Sequence, residues 1–165
     1  MQTNYILSDE VMKQIKLCAD ETENRAKLNN YNQYRYAPDD VITQNESNFI
    51  GLTAEYAAAL FFNIEFDFGI IYNVNRPDLV NGLEVRSTQW PQGNLITYDK
   101  DKPACYILAI VDLQQSSVDL KGWLDLDECR MPKYFRDKPQ VREASYWTPQ
   151  SDLRPMKELL ELVAS

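Results

Sequence analysis

The sequence predicts an α+β domain, close to the α/β class, in which helices flank a mixed central sheet of about five or six strands. Apolar residues recur at helical spacing in two segments before residue 63 and again near the C-terminus. Between those segments, short runs rich in β-branched and aromatic residues alternate with turn residues. With 165 residues the chain suits one domain, in which residues 1–45 form an N-terminal helical segment and residues 46–165 form the core.

Three helices follow from apolar spacing and capping residues. The first is predicted over about Ser8–Asn29, because Ser8 is a good N-cap followed by two acids, while a weaker pattern at residues 20–24 leaves a break there open. The second opens at Glu46–Ser47, and its alanines predict close packing against another element. Ser151 is the predicted cap of the last helix.

Six segments favour strands, and the first of them is either a strand or an extended lead-in to the next. They are Phe66–Val74, Leu83–Thr88, Leu95–Tyr98, Ala104–Asp112, Val118–Leu126 and Glu143–Trp147. The fourth is apolar on both faces, so we expect it at the centre of the sheet. Gly122 interrupts the fifth, where a glycine marks either a bulge or the close approach of another segment.

The chain contains no histidine, and this limits the kinds of catalytic and metal site that it can form. Histidine-dependent triads and histidine-ligated zinc sites are excluded. The three cysteines, Cys18, Cys105 and Cys129, are widely spaced and show neither a zinc pair nor a disulfide framework. Acid–base work would fall to carboxylates, Lys, Tyr or metal-bound water, so an enzyme here would favour Mg²⁺ or Mn²⁺ held by oxygen ligands.

The net charge of −8 argues against a protein that coats nucleic acid non-specifically, because phosphate binding needs a basic surface. It leaves a nuclease open, since metal ions offset acidic charge at a site and a local basic patch suffices. The longest apolar run, at residues 104–111, has the length of a buried strand. The N-terminus lacks a signal-peptide pattern, so we expect a cytoplasmic location without membrane contact.

The stretch Pro77–Gln89 offers the strongest candidate site. Asn81–Gly82 is a strong tight-turn signal, and the alternation after it places Glu84 and Arg86 on one face of a strand. A hairpin there would fold the Asp78 carboxylate back toward Glu84, so that two acids and one cation converge. On residue types alone, a surface hairpin with solvated charges has equal weight.

Three further features have both a functional and a structural interpretation. Glu55 lies among apolar helix residues, and it either reaches water or approaches the site to position water or metal. Asn29–Tyr36 combines tyrosines with amides, which suits base stacking, although a loop packed on the domain is favoured. A cationic excess follows residue 129 and comprises Arg130, Lys133, Arg136, Lys138 and Arg142. It either contacts phosphates or forms a solvated loop, and the latter is commoner for a charge run.

The order of these elements resembles the PD-(D/E)XK superfamily of restriction-endonuclease-like nucleases. A helix bearing Glu55 is followed by Pro77–Asp78, by Glu84–Val85–Arg86 and by a long apolar strand. The run E-V-R-S-T, the aspartate-rich loop and Gly122–Trp123 resemble small phage-encoded and mobile-element members. The resemblance covers the chain from about Ser47 onward. It implies a restriction-endonuclease-like fold, DNA as substrate and Mg²⁺ or Mn²⁺ as cofactor, and it leaves a homodimer open.

The resemblance also implies roles for individual residues. Asp78 and Glu84 would be the metal ligands, with the backbone carbonyl of Val85 as a third oxygen. Glu55 matches the acid that many members carry on the preceding helix. Gln89 lies where some members place a glutamine near the site.

Arg86 stands where the superfamily usually has lysine. Arginine stays protonated and cannot act as a base, but it can donate to a phosphate oxygen. The sequence therefore predicts a metal-dependent nuclease in which Arg86 contacts the scissile phosphate. The alternative is an inactive homologue, a non-catalytic binding or accessory protein on the same fold.

Overall fold

The computed structural model describes residues 1–28, 44–68, 79, 82–137 and 144–164. The α-helices are α1 (Asp9–Leu28), α2 (Gln44–Phe62), α3 (Leu126–Cys129) and α4 (Met156–Val163). The strands are β1 (Asn4–Ile6), β2 (Leu83–Thr88), β3 (Leu95–Tyr98), β4 (Cys105–Asp112), β5 (Ser117–Asp125), β6 (Phe135–Arg136) and β7 (Ser145–Thr148). Short 3₁₀ turns occur at Pro132–Tyr134 and Gln150–Asp152.

The strands form two sheets, which confirms the α+β class but divides the single sheet that was expected. In the first sheet, ordered β1-β5-β4-β2, β2 runs parallel to β4 and the other neighbours are antiparallel. The second sheet, β3-β7-β6, is antiparallel throughout. Leu95 of β3 belongs to the same buried cluster as Tyr106 and Leu108 of β4. We infer that β3 lies across the face of the first sheet instead of extending its edge.

β4 lies between β5 and β2, as its two apolar faces predict. Ile107 and Ala109 belong to the core beneath α2, whereas Tyr106 and Leu108 belong to the core beneath the second sheet. The α2 side of the first core includes three fully buried alanines, Ala54, Ala57 and Ala58. Their lack of bulk lets the helix approach the sheet closely, which confirms the packing predicted from them.

The beginning of α1 agrees with its sequence signals. Ser8 Oγ accepts a hydrogen bond from the Val11 N–H at 3.3 Å, so the predicted N-cap is confirmed. The helix continues through residues 20–24 without a break. α2 begins at Gln44, slightly before the predicted start.

The predicted cap of the last helix is wrong, because α4 begins at Met156 and not after Ser151. The backbone of Arg154 makes two hydrogen bonds to Trp123 of β5. Its N–H donates to the Trp123 carbonyl at 3.0 Å, and its own carbonyl accepts from the Trp123 N–H at 3.1 Å. These bonds hold Arg154 extended, and Pro155 then occupies the N-cap position. A tertiary contact thus overrides the local capping signal.

Three elements were not predicted from the sequence, β1, α3 and the two-residue strand β6. β1 contributes an edge strand to the first sheet, but three residues are too few to show an alternating pattern. α3 begins with a capping box in which Asp125 Oδ1 accepts from the Glu128 N–H at 2.9 Å. The spacing D-x-x-E is a known capping signature, so this short helix had a readable signal.

Part of the expected strand Phe66–Val74 is described. Residues 66–68 form no strand, and Phe66 packs edge-on against Tyr56 with 5.3 Å between ring centroids. The rest of that segment lies outside the described residues, as does the tyrosine-rich stretch Asn29–Tyr36.

Gly122 meets both of the expectations for a glycine within a strand. The pairing of β4 with β5 shifts there, with Leu108 opposite Gly122 and Ala109 opposite Leu120. The φ angle of Gly122 is 152°. A Cβ atom at this position would lie 2.6 Å from the carbonyl oxygen of Arg154. Both the bulge and the approach of the segment before α4 therefore depend on glycine.

Replacing Gly122 with alanine is expected to lower the free energy of unfolding by about 2–4 kcal/mol, from steric overlap and left-handed backbone strain. Gly51→Ala is the matched control, because a Cβ there meets no atom within 4 Å. It lies within α2, so the same substitution should stabilise the protein by about 0.5–1 kcal/mol. Urea unfolding of both variants measures the difference. Effects of equal sign would contradict the account of Gly122.

Candidate active site

β2 presents two chemically different faces, as its sequence alternation predicts. Leu83 and Val85 are 1% and 9% exposed and belong to the core beneath α2. Glu84 and Arg86 are half-buried and lie on the opposite face. The strand therefore places a carboxylate and a guanidinium next to one another.

A chain reversal immediately precedes β2. The Leu79 N–H donates to the Leu83 carbonyl at 3.3 Å, which forms an isolated antiparallel bridge. Gly82 has a φ angle of 71°, the left-handed conformation that the turn signal requires. Asn81 and the predicted metal ligand Asp78 lie outside the described residues.

The guanidinium of Arg86 is held by an acid and an aromatic ring. Its Nη2 donates to Asp101 Oδ1 at 2.8 Å, and its Cζ lies 5.3 Å from the centre of the Tyr106 ring. The Asp101 side chain is 8% exposed and that of Arg86 is 32% exposed. A charge-assisted hydrogen bond with little access to water therefore orients Arg86.

Hydrogen bonds from Tyr98 and from Arg130 stabilise the loop that carries Asp101. Asp101 Oδ2 accepts the Tyr98 N–H at 2.9 Å. Arg130 Nη2 lies 2.9, 2.6 and 3.0 Å from the carbonyl oxygens of Tyr98, Asp99 and Asp101 and donates to them. Arg130 thus holds the loop in the shape that presents the Asp101 carboxylate to Arg86.

Tyr106 of β4 is buried next to Glu84 on the same face of the first sheet. The two residues are opposite one another in the β2–β4 register, and the Tyr106 hydroxyl donates to the Lys102 carbonyl at 2.8 Å. Burial raises the pKa of Tyr106 to about 12, with further increases from Asp101 and Glu84 and an opposing effect from Arg86. The hydroxyl therefore stays protonated at neutral pH and acts as a neutral donor.

Sequence analysis missed Asp101 and Tyr106 as neighbours of the site. Asp101 follows Arg86 by 15 positions, and no short spacing connects them. The chain runs through β3, and the loop after it places Asp101 against Arg86 of β2. The one available signal was the cluster of aspartates directly after a strand, at Asp99 and Asp101.

The other predicted catalytic residues lie in different settings. Glu55 is on α2, which packs against the Leu83 face of β2. The pKa of the Cys18 thiol is raised first by burial and then by nearby carboxylates, among them Glu55. This places the charge of Glu55 near α1. Gln89 is exposed and directly follows the end of β2.

The described members of the cationic segment have different partners. Arg130 donates to the loop that carries Asp101. Lys133 pairs with Asp152 at 3.0 Å. Arg136 is exposed, and its guanidinium lies 5.5 Å from the centre of the Trp147 ring. Lys138 lies outside the described residues.

The oxygen donors at this site suit a hard cation, and two of the three predicted ligands, Glu84 and Val85, are among the described residues. Glu84 and the carbonyl of Val85 are oxygen donors of the kind that Mg²⁺ prefers. Within the described ranges, no three Cys, Asp or Glu side chains are grouped so as to hold a metal ion. A Mg²⁺ or Mn²⁺ site at Glu84 therefore depends on Asp78.

Comparison with known proteins gave no relative: no protein-family model, curated protein or solved structure matches the chain. The resemblance to PD-(D/E)XK nucleases therefore stays a prediction from the residue pattern. Among the helices that the structure describes, none has the length and apolar character needed to cross a membrane.

Proposed function

We propose that the chain is a Mg²⁺- or Mn²⁺-dependent nuclease that hydrolyses DNA phosphodiester bonds. One observation carries the proposal: Glu84 and Arg86 share a face of β2 directly after the bridge between Leu79 and Leu83. A carboxylate beside a guanidinium can hold a cation and a phosphate oxygen next to one another. Asp78, the residue before the bridge, supplies the second carboxylate in this proposal.

The site residues then have distinct tasks. Asp78, Glu84 and the carbonyl of Val85 hold the cation. Bound Mg²⁺ supplies a water of lowered pKa and offsets phosphate charge. Arg86 donates to a phosphate oxygen and stabilises the charge that develops in the transition state. The water would give up a proton to solvent, and its oxygen would bond to phosphorus as the bond to the sugar oxygen breaks. The sugar oxygen would leave and take up a proton from solvent water.

The remaining predicted residues have supporting tasks in the same proposal. Gln89, directly after β2, positions the attacking water or a second ion. The same task for Glu55 stays a prediction from the sequence, because its helix packs against the opposite face of β2. DNA is the partner, and a cytoplasmic setting and a homodimer stay predictions from the sequence.

A second candidate function is a non-catalytic binding or accessory protein on this fold. The contact between Arg86 and Asp101 favours it, because a guanidinium matched by an 8% exposed carboxylate can serve the structure alone. On this alternative, the acidic surface binds a protein partner, as a mimic of nucleic acid would.

The deciding experiment measures cleavage of plasmid and single-stranded DNA by the wild-type protein in Mg²⁺, Mn²⁺ and EDTA. We expect cleavage with either metal and none in EDTA. Calorimetry with Mn²⁺ on the wild-type protein and on Glu84→Ala should show binding that the substitution removes. If neither cleavage nor Mn²⁺ binding occurs, and both proteins behave alike, the nuclease proposal fails and the binding protein is favoured.

A further inference from the structure

The second sheet has one face that is buried along β3 and at the end of β7, and one half-open face. In its register Ile96 is opposite Trp147, and both Tyr98 and Arg136 are opposite Ser145. Directly opposite residues of an antiparallel pair share a face, so these five residues lie on one side. The other side is fully buried at three positions, Leu95, Thr97 and Thr148.

We call the half-open side the aromatic face, defined by Ile96, Tyr98, Trp147 and Arg136. The guanidinium of Arg136 lies 5.5 Å from the centre of the Trp147 ring, and Lys100 Nζ lies 5.6 Å from the centre of the Tyr98 ring. The indole is also oriented, because Trp147 Nε1 donates a hydrogen bond to Ser145 Oγ at 2.8 Å. Two rings, each with a cation, are thus held on adjacent strands.

We propose that the aromatic face binds unpaired bases of a single-stranded nucleic acid and guides the strand to Glu84. The inference rests on the proposed nuclease function and deepens it, since it selects the form of the substrate. Aromatic rings stack on bases while neighbouring cations contact the phosphates. Bases within a duplex are already stacked on one another, so a ring on a sheet surface can accept only an unpaired base.

The aromatic face is linked to the candidate active site through the Asp101 carboxylate. The N–H of Tyr98 donates to one carboxylate oxygen of Asp101 at 2.9 Å, and the other oxygen accepts from Arg86 at 2.8 Å. One carboxylate therefore joins the strand that carries Tyr98 to the residue proposed to contact the scissile phosphate. A nucleic-acid strand that follows β3 past Tyr98 would come to the loop whose Asp101 carboxylate contacts Arg86.

The charges on this face favour a phosphate-bearing ligand over a protein. Protein interfaces are enriched in Trp, Tyr and Arg but depleted of Lys, so Lys100 beside Tyr98 is the cation that argues against a protein partner. Here each ring lies beside a cation, although the chain as a whole has a net charge of −8. Local cations on aromatic rings supply the stacking and the charge that a single strand needs.

Binding of fluorescein-labelled oligothymidylate, measured by anisotropy in EDTA, tests the proposal without cleavage. Trp147→Leu and Tyr98→Leu should each weaken binding at least about fivefold, because each removes a stacking ring. Trp147→Phe keeps a ring and should stay within about twofold of the wild-type affinity. Phe135→Leu is the matched control, since Phe135 is an exposed aromatic of β6 that alternates to the other side. Thermal unfolding verifies that each variant is folded.

Three further measurements examine the charge contact, the strandedness of the ligand and the choice between DNA and RNA. Arg136→Gln should reduce the slope of log affinity against log salt by about 0.7, the value for one phosphate contact on a single strand. A blunt duplex should bind more weakly than the single strand and should not respond to Trp147→Leu. Oligouridylate replaces oligothymidylate in a parallel series, and tighter binding of either one supports the inference and identifies the nucleic acid.

The outcomes separate this inference from the proposed function. Glu161→Gln should bind oligothymidylate as the wild-type protein does, because Glu161 is an exposed side chain of α4 outside both the aromatic face and the candidate active site. Binding that depends on Trp147, without any metal-dependent cleavage, would support the aromatic face and remove the nuclease. No binding by the wild-type protein, equal binding of duplex and single strand, or equal effects of Trp147→Leu and Phe135→Leu would overturn the inference even if the protein cleaves DNA.

Discussion

Replacing Asp78 with alanine is expected to abolish metal-dependent DNA cleavage while the protein stays folded. In the proposed site Asp78 is one of two carboxylate ligands, and a cation held by Glu84 and a carbonyl alone would bind weakly. Loss of the cation removes several kcal/mol of transition-state stabilisation, which corresponds to a decrease in rate of roughly a thousandfold or more. Initial rates of plasmid nicking in Mn²⁺ provide the measurement.

The matched control is Asp127→Ala, which removes an exposed carboxylate of the same charge on α3. We expect its cleavage rate to remain near that of the wild-type protein. Circular dichroism and thermal unfolding show whether the Asp78 variant is folded. A folded Asp78→Ala protein that still cleaves at the wild-type rate would remove Asp78 from the site and, with it, the proposed metal ligands.

Replacing Asp101 with alanine is expected to lower the free energy of unfolding by roughly 2–3 kcal/mol, despite the position of this residue in a loop. The substitution leaves the partly buried guanidinium of Arg86 without its 2.8 Å carboxylate contact and the N–H of Tyr98 without its acceptor. The remaining exposure of Arg86, 32%, keeps the cost below that of a fully buried pair. Denaturant unfolding of the variant measures it.

The control for this prediction is Glu161→Ala, which breaks an ion pair with Lys157 on α4. Both side chains of that pair are largely exposed, so the change should stay below about 0.5 kcal/mol. A double-mutant cycle with Arg86→Met and Asp101→Ala should give a coupling of about 1–2 kcal/mol. If Asp101→Ala costs no more than Glu161→Ala, the carboxylate does not hold Arg86 in solution.

The stability and cleavage measurements together define what Arg86 does. If Arg86→Met removes cleavage while Asp101→Ala retains part of it, the guanidinium acts on the phosphate and Asp101 positions it. If both variants lose stability and cleavage is absent from the wild-type protein, the pair serves the structure and the second candidate function applies. Arg86 is thus the residue on which the two proposed functions differ.

Local pattern alone predicted most elements of the sheet. Alternation in β2 assigned Glu84 and Arg86 to one face, and the two apolar faces of β4 placed that strand at the centre. The N-cap at Ser8 was equally readable. Each of these features depends on residues a few positions apart, and the periods of strands and helices express such neighbours directly in the sequence.

Other features were decided by contacts between distant parts of the chain. β3 packs across β4 and forms a second sheet with β7, and Arg154 is held to Trp123, so α4 begins later than its local cap predicts. The contact of Asp101 with Arg86 likewise joins two segments that no periodicity relates. The sequence by itself determined which side chains share the face of β2. Tertiary packing decided which acid they meet, because that neighbour is set by how β3 returns over the sheet and not by the spacing of residues along the chain.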